Sequence, residues 1–120
     1  MGYRSDVKLV FYTSNDSTIP FSAVKFWFDE NFPKHDFGEV ETGQNYVLVS
    51  YEDVKWYDNY PEVRAVNDAI ATFVDTFNAN EDSNAHYEMI RVGEELNDIE
   101  RDASAYCHWL LDVSRTIHFN

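Results

Sequence analysis

Hydrophobic positions along this chain follow two periods, and the places where one gives way to the other outline its elements. Val7 to Tyr12 is a β-branched and aromatic run closed by the turn formers Ser14, Asn15, Asp16 and Ser17, which predicts a first strand. Thr18 is placed to cap a helix with Pro20 in its first turn. Phe21, Val24, Phe28 and Phe32 then make one helical stripe ending near Pro33. Trp27 sits off that stripe, so it either broadens the buried face or lies exposed. Asp36 to Thr42 predicts a second strand, and Gly43-Gln44-Asn45 turns the chain into Tyr46 to Tyr51, whose continuous apolar character suits a central strand.

Tyr60-Pro61 opens a second helix, with Val63, Val66, Ile70, Phe73, Val74 and Phe77 on one face down to Asn78. A polar loop from Asn78 to Asn84 leads to a strand at Tyr87 to Val92, closed by Gly93. Glu94 to Asp102 is densely acidic and reads as a solvated loop. Beyond it the odd positions Cys107, Trp109, Leu111, Val113, Ile117 and Phe119 are apolar and the even ones mostly polar, the pattern of one half-buried strand; Leu110 and Arg115 break it. The order strand, helix, strand, strand, helix, strand, strand predicts an α+β fold. It implies an antiparallel sheet of four to five strands with two helices on one face, a ferredoxin-like arrangement in βαββαββ order. Residues 1–120 are expected to form a single domain, without repeats or linkers.

Charge changes the picture most. Asp and Glu number 22 against 9 Lys and Arg, a formal net charge of −13 on 120 residues. Such an excess repels nucleic-acid phosphates and anionic membranes and favours basic partners. Disorder does not follow, because 44% of residues are hydrophobic and 17% aromatic, enough to build a core. The single cysteine, Cys107, rules out an intrachain disulfide and fits a reducing compartment. The N-terminal residues carry no signal-like apolar run, no stretch is long enough for a membrane helix, and Asp6 departs from the Ser or Thr that myristoylation at Gly2 prefers. An acidic protein in the cytoplasm, without a membrane anchor, is the expectation.

Three stretches carry a resemblance: Gly2-Tyr3-Arg4-Ser5-Asp6-Val7; Val54-Lys55-Trp56-Tyr57-Asp58-Asn59-Tyr60-Pro61-Glu62-Val63; and Ile90-Arg91-Val92-Gly93-Glu94-Glu95 with Asp98-Ile99-Glu100. Together, about a quarter of the chain, they resemble small acidic proteins of tailed bacteriophages, a group with no established activity. The resemblance implies a site of action in the cytoplasm of a host bacterium. By analogy with other small acidic phage proteins, it also implies inhibition or modulation of a host protein of the anti-restriction or anti-CRISPR kind, sometimes by DNA mimicry.

The candidate chemistry is acidic. Glu94, Glu95, Asp98, Glu100 and Asp102 form one candidate partner-binding patch, with Arg91 and Arg101 in position to neutralise part of it. Glu52, Asp53, Tyr57 and Asp58 form a second, in a segment where Tyr51, Trp56, Tyr57 and Tyr60 alternate with acids as interface hot spots do; Trp56 and Tyr60 also suit stapling of that loop onto the core. Glu39 and Glu41 on the second strand stand about 6.5–7 Å apart on one face, close to the phosphate spacing of one DNA strand. The acidic segment lacks the ligand order of an EF-hand loop. His35, His86, His108 and His118 lack the spacing of a helical zinc site. Neighbouring Cys107 and His108 point to opposite faces of a strand, so they do not make a catalytic pair. Neither a phosphate-binding glycine loop nor a serine-hydrolase elbow is present. The resulting expectation is a non-enzymatic protein without cofactor or metal, a monomer or small homo-oligomer. It would bind a host protein through that protein's basic, nucleic-acid-binding surface, and would not bind nucleic acid itself. Two alternatives stand beside it: an accessory or structural phage protein that self-assembles, and a carboxylate-based metal-binding protein or enzyme.

Overall fold

A computed structural model describes residues 4–33, 38–79, 85–95, 98–105, 110–114 and 116–119. The elements in chain order are β1 (Ser5–Tyr12), α1 (Phe21–Asn31), β2 (Gly38–Thr42), β3 (Tyr46–Val54), α2 (Pro61–Phe77), β4 (His86–Gly93), β5 (Ile99–Ala103), β6 (Leu111–Ser114) and β7 (Thr116–Phe119). The first five strands form one antiparallel sheet in the order β2-β3-β1-β4-β5, and β6 and β7 pair as a separate antiparallel hairpin.

Strand alternation divides the core into two layers. Val7, Leu9 and Phe11 of β1 and Val47, Val49 and Tyr51 of β3 face the two helices, and meet Val24, Trp27 and Phe28 of α1 and Val66, Ile70, Phe73 and Phe77 of α2. Aromatic rings dominate this layer. Phe11 lies 4.6 Å from Phe73 and 5.4 Å from Trp27 between ring centres, and Phe28 stacks on Phe32 at 4.6 Å. Each such side chain contributes about 1.5–3 kcal/mol through burial alone. Val10, Tyr12, Leu48 and Ile90 point the other way and gather Leu111 of the β6–β7 hairpin. The molecule therefore has three layers, of helices, sheet and hairpin.

Both helices lie where the apolar stripes predict them. α2 opens with Pro61 at its first turn and closes at Asn78, which adopts the left-handed conformation with φ 51° that asparagine tolerates. Three boundaries depart from expectation. The N-cap of α1 is Pro20, and no side chain caps the helix; the preceding turn is closed by Ser17, whose Oγ accepts from the Ile19 N–H at 3.1 Å. The acidic segment holds a strand, β5, paired with β4 through Arg91 opposite Glu100 and Met89 opposite Asp102.

The C-terminal stretch is a hairpin rather than one strand, so the chain order runs past βαββαββ. Leu111 pairs with Phe119 and Val113 with Ile117, and Ser114 faces Thr116. Paired positions share parity, so the apolar alternation continues in phase through the reversal and conceals it; Arg115 was the one odd polar position to mark it. Cys107 and His108 lie outside the described residues, as do His35 and Asp36.

Candidate functional site

The two predicted acidic patches meet at one end of the sheet. Between Ser5 and Val7 the pairing of β1 with β3 shifts, because Ser5 faces Val54 while Val7 faces Tyr51. This bulge places Asp53 at φ 52°, a left-handed conformation uncommon outside glycine and more readily adopted by Asp and Asn. The bulge is tied down on both sides: the Asp53 N–H donates to Asp6 Oδ1 and Arg4 Nη1 donates to the Asp53 carbonyl, each at 2.8 Å. The Arg4 backbone N–H donates to Glu94 Oε1, also at 2.8 Å. Arg4 thus joins Asp53 of the second patch to Glu94 of the first.

Arg91 organises the rest of the first patch. Its guanidinium donates to Asp98 Oδ1 and Oδ2 at 2.5 and 3.0 Å, to Glu100 Oε1 at 2.5 Å from Nη2, and to Ser5 Oγ at 2.9 Å. These bonds, the one to Asp98 foremost, push the Arg91 pKa further up against the opposing effect of burial. Asp98 and Glu100 therefore hold a cation of their own chain, whereas Glu52 and Asp58 are exposed, with no ion pair among the described residues, and Glu95 is exposed as well. Asp102 stands apart, further along β5, in a groove with Val74, Asp75 and Tyr87.

Beside Arg4 an open groove of about 430 Å³ runs between the end of β3 and the start of α2, lined by Glu52, Asp53, Trp56, Tyr60 and Glu62 among others. Trp56 packs against Tyr51 at 5.2 Å, and Tyr57 meets Tyr60 edge to face at 5.1 Å. All three loop aromatics are half-buried and staple the loop, and Trp56 and Tyr60 also line the groove. Glu39 and Glu41 project from β2, an exposed strand at the opposite edge of the sheet from β5. Tyr46 Oη donates to Glu41 Oε2 at 2.6 Å, which raises the Tyr46 pKa.

A second polar cluster escaped the sequence reading. Glu88, only 2% exposed, lies on the hairpin face of β4 and accepts from Tyr12 Oη at 2.7 Å and from the Leu111 N–H at 3.1 Å. Buried His86 places Nδ1 3.1 Å from Ser104 Oγ, with its ring 5.9 Å from that of Tyr12. The signal was present: Glu88 shares the parity of Ile90 and Val92, so alternation puts a carboxylate on an apolar face. Among the described residues no three His, Cys, Asp or Glu side chains converge as metal ligands, and no helix is long and apolar enough to cross a membrane. No family model, curated protein or solved structure matches the chain.

Proposed function

We propose that this protein acts by binding, docking the end of its sheet around Arg4 onto a basic surface of another protein and so inhibiting or modulating it. The observation that carries the reading is the convergence of the two acidic segments at Arg4, beside a groove walled by Trp56, Tyr60, Glu52 and Glu62. Aromatic edges supply desolvated contact area, while exposed carboxylates steer an Arg- or Lys-bearing partner and fix its orientation. The formal charge of −13 extends that field over the whole surface. The resemblance to tailed-phage proteins makes a bacterial host protein that handles nucleic acid the first partner class to test.

A tagged pull-down from bacterial lysate at low and moderate salt, repeated with Glu52→Lys and Asp58→Lys combined, tests the reading. These two carboxylates hold no internal ion pair among the described residues, so their reversal spares the fold. A stoichiometric partner that is lost both with salt and in the double variant is the expected result. A partner retained by the variant at every salt concentration overturns it.

A further inference from the structure

The β2 edge offers a more specific docking mode. Among the described residues β2 ends the sheet and pairs only with β3, through Gly38 opposite Tyr51, Val40 opposite Val49 and Thr42 opposite Val47. The hairpin closes with the Gly43 N–H donating to the Tyr46 carbonyl at 2.9 Å. Hydrogen-bonded pairs alternate from that point in an antiparallel ladder, so Glu41 and Glu39 bond to β3. The backbone N–H and C=O groups of Gly38, Val40 and Thr42 consequently point out from the sheet edge.

Next to them is an apolar notch of about 170 Å³, formed by Phe28, Phe32, Val49 and Tyr51 with Gly38 and Val40 at its rim. Val40 is 55% exposed, an unusual position for a valine on a strand edge. Gly38 keeps the notch open, because a Cβ there would lie 2.5 Å from Tyr51 Cε1. Glu39 and Glu41 project from the other face of the strand.

We propose that β2 is a strand-addition site for an extended segment of a basic protein, with one apolar side chain seated in the notch beside Val40 and Lys or Arg at alternate positions facing Glu39 and Glu41. The charge pattern selects this occupant. A second copy paired antiparallel about Val40 would set Glu39 directly against Glu41, which like-charge repulsion disfavours, whereas alternating bases neutralise both. β5, the other edge, differs in that Glu100 is already held by Arg91 and Arg101 lies beside it. The choice of a basic occupant rests on the function proposed above; the geometry of the edge does not.

The test uses the full chain and a labelled peptide alternating Val with Lys and Arg, alongside a neutral analogue with Ser in place of the bases. Fluorescence anisotropy should show the basic peptide binding more tightly than the neutral one. Hydrogen exchange at the Val40 amide should slow in the complex. Val40→Pro removes an outward N–H without touching the ladder to β3 and should weaken binding about tenfold or more, with the thermal midpoint unchanged. Equal binding of Val40→Pro and the parent chain, unchanged exchange at Val40, or dimerisation through β2 without peptide would overturn the proposal. If the neutral analogue binds as tightly as the basic one, and through Val40, the edge stands and the basic-partner reading falls. If the basic peptide perturbs only amides around Arg4, the outcome is reversed.

Discussion

Arg91 concentrates more charge-assisted bonding than any other described side chain, and it sits where the first acidic patch would otherwise repel itself. Arg91→Ala leaves Asp98 and Glu100 facing each other and Ser5 without its donor. The expected loss is about 1–3 kcal/mol in urea unfolding, held to that range because Glu100 is largely exposed and solvent screens it. Arg91→Lys should recover only part, since one ammonium cannot fork to two carboxylates and a hydroxyl. Tyr51 gives a pH signature. Burial raises its pKa above the usual 10, so in the unfolded chain it ionises first. The native state then binds the extra proton, and stability is intact below pH 10 and falls as pH rises beyond it. Tyr51→Phe should flatten that alkaline loss in chemical unfolding measured at successive pH values; an unchanged slope would assign it to other tyrosines.

At the scale of elements, the helices and the hairpin are held in different ways. α2 is fixed by its aromatic stripe: Phe73 is fully buried and lies 4.6 Å from Phe11, 5.3 Å from Trp27 and 5.1 Å from Phe77. Phe73→Ala should cost about 3–5 kcal/mol in denaturant unfolding. The β6–β7 hairpin is held on the sheet by Leu111 and by one buried carboxylate. Glu88→Ala deprives Tyr12 Oη and the Leu111 N–H of their acceptor. Exchange at the Leu111 amide should therefore accelerate more than exchange in β1, and Glu88→Gln, which keeps an acceptor oxygen, should accelerate it less.

The helix layer was readable in the sequence because its determinants are local: stripes at Phe21, Val24 and Phe28 and at Val66, Ile70 and Phe73, and the unbroken apolar run of β3. The hairpin layer was not, since an in-phase reversal leaves period two intact. β5 was hidden because this edge strand has no continuous apolar face to advertise it, only Ile99 and Ala103 at its ends around three charges. The meeting of the two acidic patches at Arg4 is a tertiary event set by the bulge at Asp53, and nothing near Asp53 in the chain announces Glu94.

Over the whole molecule, salt acts on folding and on binding with opposite signs, which separates general acidity from specific recognition. A formal charge of −13 on 120 residues repels itself in the compact state more than in the expanded one. The described ion pairs are few and mostly at least partly exposed, so screening removes more repulsion than attraction. Raising salt from roughly 0.01 to 0.15 M contracts the screening length from about 30 to 8 Å. The thermal midpoint should then rise by a few degrees, equivalent to about 1 kcal/mol for a domain of this size. Over the same range, affinity for a basic partner should fall, because exposed interfacial charges lose their steering and attraction. Calorimetry of the free protein and titration of the complex across one salt series measure both slopes. A midpoint that drops with salt would mean that the internal pairs, Arg91 first among them, outweigh the repulsion. Affinity that stays flat while the midpoint rises would confine the acidic surface to keeping the chain soluble.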